Sequence, residues 1–462
     1  MTEKTIHRFI LHCCSNFYTD ELIVRDSLSY LSWFTPKNFV GNDPNWRTNI
    51  VIESPTAEMC LACRGAKLLC GKPKCPIITK AEGFARHAPG LYSSDVIQGS
   101  SPPGVFVGRF GYPKVFIGPM VPAIHGDTAL LDTPEMWKGK SIDEIVDYRY
   151  SLVRGCVRAD IHDVVKGSRL IENLQEVAMS NKSADSELRL SRKPVNRVSF
   201  SENSQPFGPS APMKEFKSQG NISVDQRIEK AYYDKDLKAA DAVFSLYKEG
   251  VIFSKLEKSF SIGVFGEKKK RKLVPTRWSI TALDSNLSLR LIDEIKDYET
   301  LDDYRVFTYT NLDNVYIAIL TPEKWNYEWI EAWHSGTAWN RFGSKPEMIG
   351  DHEGYYGRKT YAKPGGCYYS TRFAVSEYLS IVRRQSGAIM LREIHPGYIL
   401  PIGVWNVRES IRSLLMGRYK SFDTFSKALD FACSNFLIRK SYWVEYSELI
   451  RQQLEQRKIS DY

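Results

Sequence analysis

Residues 141–155 read SIDEIVDYRYSLVRG. Ser141 and Glu144 have the spacing of a capping box, in which the serine hydroxyl accepts from the Glu144 amide and the glutamate reaches back to the Ser141 amide. Behind it Ile142, Ile145, Val146, Arg149, Leu152 and Val153 recur at helical spacing, which predicts an amphipathic helix. Short runs rich in Val, Ile and Phe, bounded by Gly, Pro or Asn, predict strands at 105–107, 114–117, 259–265, 315–320 and 387–394. Further helical patterns cover 226–248, 371–386, 407–417, 423–437 and 441–458. Helices and strands do not alternate as regular βαβ units, so the expected class is α+β: a mixed, mostly antiparallel sheet with several packed helices.

The chain has 462 residues, 43% hydrophobic and 25% charged, which is ordinary for a globular protein. It holds no apolar run of about 18 residues, so no membrane span or membrane partner is expected. The N-terminus has polar flanks and no small-residue cleavage site, so no signal peptide is expected and a reducing cytoplasm follows. A net charge of +9 favours anionic partners, nucleic acid first. Residues 180–223 hold ten serines and four prolines in 44 residues, with few large apolar groups. Such a segment buries too little surface to offset its ordering entropy, so loop and partial disorder are expected there. It divides an N-terminal half, 1–179, from a C-terminal α+β half, 224–455, that ends in a tail, 456–462.

Four of nine cysteines fall within CLACRGAKLLCGKPKC, residues 60–75, spaced Cys60-x2-Cys63-x6-Cys70-x4-Cys75. Tetrahedral zinc needs four thiolates around one centre, and a Cys-x2-Cys turn presents two of them together. Gly65 and Gly71 permit the tight return of the chain. Arg64, Lys67, Lys72 and Lys74 would offset the net negative charge of such a site. A small structural zinc module held by four cysteines is the reading. An iron–sulfur cluster, whose usual spacings differ, and unliganded thiols are the alternatives.

The last seven residues, QRKISDY, place Gln456, Ile459 and Tyr462 three apart. One 3₁₀ turn sets residues three apart on one side, so Ile459 and Tyr462 would enter an apolar pocket with Gln456 beside them. A glutamine, an aliphatic and an aromatic in that order is how a chain docks on a sliding clamp. The usual motif ends in two aromatics, and here only Tyr462 is present.

For DNA, the densest basic run is Lys268, Lys269, Lys270, Arg271 and Lys272, expected to follow a strand, with Arg277 and Trp278 nearby. A second candidate surface interleaves Tyr355, Tyr356, Arg358, Lys359, Tyr361, Tyr368, Tyr369 and Arg372 with glycines. No Walker A, His-Glu-x-x-His or Gly-x-Ser-x-Gly motif is present. His125, Asp127, Asp132 and Asp284 are the carboxylates and histidine that a catalytic site could use, and no catalytic residue is assigned.

Several longer phrases resemble the archaeal Nre family of DNA-repair factors. They are the cysteine cluster, SPPGVFVGRFGYPKVFIGP at 101–119, GDTALLDTPEMWKGKSIDEIVDYRYSLVRG at 126–155, FGPSAPMKEF, VPTRWSITALD, YYGRKTYAKPGGCYYSTRFAVSEYL and LPIGVWNVRESI. The resemblance implies a cytoplasmic, nucleoid-associated protein of archaea that responds to DNA damage. It implies zinc at Cys60, Cys63, Cys70 and Cys75, and the sliding clamp PCNA as partner of Gln456, Ile459 and Tyr462. DNA and other repair proteins are the further partners expected. The alternative is a repair enzyme, a nuclease or glycosylase, using Asp127, Asp132 or the Tyr/Arg cluster. FGPSAPMKEF belongs to the family pattern, which leaves 180–203 as the better candidate for disorder.

Overall fold

The Ser141 capping box forms: Glu144 N–H donates to Ser141 Oγ at 3.2 Å, and Ser141 N–H to Glu144 Oε2 at 2.9 Å. The helix it starts ends at Tyr150, and Leu152 and Val153 open a strand. This computed structural model describes residues 57–91, 94–194, 206–220, 222–340 and 343–455. Apart from Lys359–Tyr361, the described residues lie in one compact unit.

In chain order, α1 (Ala57–Cys63) and α2 (Pro76–Leu91) flank the cysteine loop. A first sheet is built from β1 (Val96–Ser101), β2 (Val105–Val107) and β3 (Lys114–Pro122), then, after α3 (Ile142–Tyr150), β4 (Leu152–Asp160). Helices α4 (Asp163–Lys166) and α5 (Arg169–Met179) precede its last two strands, β5 (Ala184–Leu190) and β6 (Ser210–Ser218). The order across the sheet is β1-β5-β6-β4-β3-β2, antiparallel except between β4 and β6. Its edges meet. Ser100 N–H donates to Ile124 O at 2.8 Å and the Ser101 hydroxyl to Met120 O at 2.8 Å, so β1 also runs beside the end of β3. Gly99 permits this approach, since a Cβ there would stand 2.0 Å from Pro122 O. Val115, Ile117, Val121, Val153 and Leu188 fill the interior, and α5 buries Ile171, Leu174, Val177 and Ala178.

Four helices follow: α6 (Gln226–Tyr233), α7 (Ala239–Lys248), α8 (Phe253–Ser261) and α9 (Thr276–Ile295). The second sheet takes β7 (Tyr304–Asn311), β8 (Asn314–Thr321), β9 (Asn326–Trp333), β10 (Glu347–Glu353), β11 (Gly387–Ile394) and β12 (Tyr419–Phe422). Its order is β10-β9-β11-β8-β7-β12, and only β9 and β11 run parallel. Helix α10 (Gly366–Val382) lies between β10 and β11 in the chain, and α11 (Val404–Leu415) between β11 and β12. The chain continues through α12 (Phe425–Cys433), α13 (Lys440–Tyr446) and α14 (Glu448–Glu455). Ile317, Ile319, Ile330 and Leu391 of the sheet share a core with Leu429, Trp443 and Ile450 of these last helices.

The fold is therefore α+β, with two mixed sheets rather than one. Three local expectations need correction. Residues 259–265 are not a strand: they finish α8 and turn at Gly263, whose φ of +74° stops the helix. Their Val, Ile and Phe content is spent on the buried turn, where Ile262, Val264 and Phe265 pack. The run at 268–272 thus follows a helix and opens with a 3₁₀ turn, Lys268–Lys270. The Ser/Pro-rich stretch carries β5 and β6: Leu188 and Leu190 are buried on alternate positions of β5, and a bulge in the pairing sets Phe216 and Met213 of β6 opposite them. The part of it at 195–205 lies outside the described residues.

Candidate functional site

The cysteine loop turns through positive φ at Arg64, Gly65, Leu68 and Gly71. These turns aim the N–H groups of Leu69, Gly65, Lys67 and Leu68 at the Cys63 sulfur, which holds the thiol below its ordinary pKa against the opposing effect of burial. A thiolate is the ligand form of cysteine, so the donor set suits a soft cation. Cys70 and Cys75, like Cys63, form no disulfide among the described residues. Lys74 pairs with Asp143 of α3 at 2.7 Å. Among the described residues, one group of three His, Cys, Asp or Glu side chains brings its ligand atoms within 4.8 Å of one another, and it lies elsewhere, at His334, Glu393 and His395.

Of the basic run, Lys268, Lys269, Lys270 and Lys272 are exposed and Lys270 pairs with Glu267. Arg271 is buried and donates to Gly266 O and Tyr232 O, both at 2.7 Å, so it braces the turn. Arg277 is exposed, and Trp278 rests on Tyr112 with ring centres 5.2 Å apart. Of the Tyr/Arg surface, Tyr368, Tyr369 and Arg372 are core residues instead. Arg372 donates to Glu353 at 2.7 Å and to Ser288 at 3.1 Å, and Tyr368 donates to Glu353 at 3.1 Å. Their residue types fitted a ligand surface, but the arginine is consumed by a buried carboxylate. Arg358 pairs with Asp351 at 2.7 Å, while Tyr356 and Lys359 are exposed. Gln456, Ile459 and Tyr462 lie outside the described residues.

The carboxylates named from sequence do not share a site. Asp127 accepts from the Ala129 amide, and His125 contacts Asp185. Asp132 is buried between Arg149 at 2.7 Å and Lys258 at 2.8 Å. Asp284 is buried against Arg408, which donates to both its oxygens at 2.9 and 3.0 Å. Around these pairs the helices bury more charge. Ser279 donates to Glu257 at 2.6 Å, and Arg412 binds Glu377 through two nitrogens and Glu409 through a third. Burial pushes the Glu257 carboxyl up to about 7, against the pull of the Ser279 hydroxyl and Lys258. Glu135 Oε2 finds no hydrogen-bond partner among the described residues.

Sequence reading missed an exposed face on the first sheet. Phe116 of β3 and Arg158 of β4 are directly opposite in the register, with the guanidinium 5.3 Å from the ring centre. Beside them the Arg154 guanidinium sits between Phe106 at 5.5 Å and Phe207 at 4.9 Å. Phe110, Phe116 and Phe207 are 66%, 39% and 51% exposed, unusual for phenylalanine. The alternation in Lys114-Val-Phe-Ile117, with Phe116 on the face opposite buried Val115 and Ile117, is the signal that could have found it.

The first sheet curls until β1 runs beside the end of β3 and carries an arginine–phenylalanine face, and helices rich in buried ion pairs lie between it and the second sheet in the chain. Residues 69–340 match the family described as archaeal Nre, N-terminal, and residues 353–462 the one described as archaeal Nre, C-terminal, so the chain belongs to the archaeal Nre family. It is 45% identical to the DNA repair protein NreB of Archaeoglobus fulgidus over 85% of this chain and 97% of that protein. It is 38% identical to NreA of the same organism, over 80% and 92%, and 32% identical to the DNA repair protein NreA of Haloferax volcanii, over 76% and 86%. No solved structure matches. No described helix is long and apolar enough to cross a membrane.

The Glu257 environment gives a pH test. Its carboxyl titrates near 4.5 when unfolded and about 7 when folded, so the folded state holds the extra proton between those values. Stability from this group is full below pH 4.5 and is lost as pH rises through 7. Glu257→Gln keeps the bond from Ser279 and removes the charge. Its unfolding free energy should match wild type near pH 4 and exceed it increasingly up to about pH 7, levelling off there at about 3 kcal/mol.

Proposed function

We propose that this protein is a DNA-repair factor that works on DNA while docked to the sliding clamp PCNA through Gln456, Ile459 and Tyr462. The observation that carries the reading is kinship along most of both chains with proteins named for DNA repair. The exposed arginine–phenylalanine face and the exposed Lys268, Lys269, Lys270 and Lys272 support DNA contact, since they offer cations beside stacking rings. Clamp docking raises the local concentration of the chain on DNA without a tight DNA site of its own. Location in the cytoplasm, at the nucleoid, goes with that role.

Zinc is proposed at Cys60, Cys63, Cys70 and Cys75 as a structural staple, and the amide cradle around Cys63 is what fits it. Four protein thiolates leave no open position, so the ion's part is folding of the module between α1 and α2. The nuclease or glycosylase alternative gains no common site from Asp127, Asp132 and Asp284, each of which is tied to different partners.

A chain ending at Glu455 should lose capture by the cognate clamp that the full chain retains, and equal capture by both would overturn the docking reading. Elemental analysis of protein purified without chelator should find one equivalent of zinc more in the wild-type chain than in Cys63→Ser.

A further inference from the structure

Leaving β2 aside, the first sheet joins its strands as β1-β3-β4-β6-β5-β1, with β4 parallel to β6 and the amphipathic α5 between β4 and β5. Counted one to five along the chain, the order is 1-2-3-5-4-1. That is the arrangement of the small Greek-key barrel that binds oligonucleotides across its second and third strands, flanked by the loops between strands one and two and strands four and five. Each of those places is furnished here. The second and third strands carry Phe116 and the two arginines, Arg154 and Arg158. The first connection, 102–113, supplies Phe106 and Phe110, and Phe207 stands in the described residues just before the fifth strand. Arg154 is the junction, because one guanidinium touches a ring from each loop.

We propose that this face binds single-stranded DNA. It rests on the DNA-repair reading only for the choice of DNA over RNA; the single strand follows from geometry. Exposed rings stack on base faces, which a duplex hides between its own pairs, while arginines follow the phosphates. The ring-to-guanidinium contacts hold the arginines in place before a strand arrives. Of the acidic side chains on the sheet, Asp160 stands opposite Lys114 in the register and Glu187 of β5 pairs with Arg189. A barrel of this kind covers about 4–16 nucleotides.

Fluorescence anisotropy with the full chain tests it, using labelled oligo-dT of about 20 nucleotides, a duplex of the same length and an oligo-U of the same length. The single DNA strand should bind at least about tenfold tighter than the duplex, and Phe116→Ala and Phe207→Ala should each weaken it about tenfold. Arg158→Gln should weaken binding and reduce the salt slope by about 0.7. Duplex bound as tightly as single strand, or a Phe116→Ala/Phe207→Ala chain that binds as wild type does, overturns the proposal, and preference for oligo-U overturns the choice of DNA. Clamp capture by the same variants should be unchanged, which separates failure here from failure of the docking reading. Should a variant not fold, hydrogen exchange of the wild-type chain decides: oligo-dT should protect residues 106–116, and unprotected strands overturn the assignment.

A separate observation carries a second site. His334 follows β9, Glu393 is the penultimate residue of β11 and His395 follows it, so all three stand at the carboxyl ends of the sheet's one parallel pair. Open sheets bind ligands at that end of their strands. Nε2 of His334 and of His395 lie 2.8 and 2.7 Å from Glu393 Oε1, which also accepts the Leu437 amide at 3.0 Å. Three N–H donors exceed the two lone pairs of that oxygen. A cation shared by the two imidazoles and the carboxylate replaces two of those protons. Asp313, in the β7–β8 turn, adds a carboxylate 3.9 Å from His395 Nδ1, beyond hydrogen-bond reach but a further negative charge beside the cluster. The Glu393 side chain is fully buried, whereas His334 and His395 are 24% and 18% exposed, so the site opens to solvent on the histidine side.

We infer that His334, Glu393 and His395 bind a divalent transition-metal cation, with coordination positions left open. Dialysis of the full chain against Co²⁺ should load one more equivalent than the His334→Gln/His395→Gln chain takes, with thiolate-to-cobalt absorption equal in both. Equal loading overturns it. If that variant does not fold, Zn²⁺ should protect His334 and His395 of the wild-type chain from diethyl pyrocarbonate, read by peptide mass, and equal labelling with and without Zn²⁺ overturns it.

Discussion

The helices and the second sheet depend on charges that have no water to turn to. Arg408 reaches Asp284, Arg372 reaches Glu353, Arg392 reaches Glu331 and Lys258 reaches Asp132, all buried. A buried pair contributes little net stability over an apolar substitute, but removing one partner leaves an unpaired charge at a cost of about 3–5 kcal/mol. The pairs join segments far apart in sequence, so they act as a check on register: a misplaced helix strands a charge. Serines do the fine adjustment. Ser279, Ser285 and Ser288 of α9 are buried and serve Glu257 and Arg372, whose polar groups a plain apolar helix face could not satisfy.

That choice explains where the sequence was readable. Elements with ordinary apolar patterning were placed well: β2, β11, the core of β8, and the helix behind Ser141. Helix α9 escaped because its buried face is Ser, Asp and Leu in turn, which weakens any 3.6-residue apolar period. Strand β9 escaped similarly, since it buries Glu328 and Glu331 beside Tyr327, Trp329 and Ile330. Strands β5 and β6 hid in serine-rich sequence, although Leu188 and Leu190 were the marks of a one-sided strand in β5. Leu152 and Val153 were read as helix because two residues cannot distinguish a last turn from a first strand step.

Candidate sites divided along the same line. Spacing motifs, such as the cysteine cluster, are local and visible in sequence. Sites assembled from several elements were not. Arg154, Phe106 and Phe207 meet only because β4 lies between two loops, and His334 meets Glu393 only because β9 and β11 run side by side. Conversely, Tyr368, Tyr369 and Arg372 looked like a recognition surface because aromatic and guanidinium groups serve a polar core as well as a ligand.

Strand order in the barrel also bears on synthesis. Val96 of β1 pairs with Arg189 of β5, and β5 in turn needs β6, which ends at Ser218. Such distant pairing is slow to nucleate. On the ribosome, therefore, β1 and β4 must each wait with one edge uncovered until nearly half the message has been translated. Their hydrophobic edges are a natural target for nascent-chain chaperones throughout that interval.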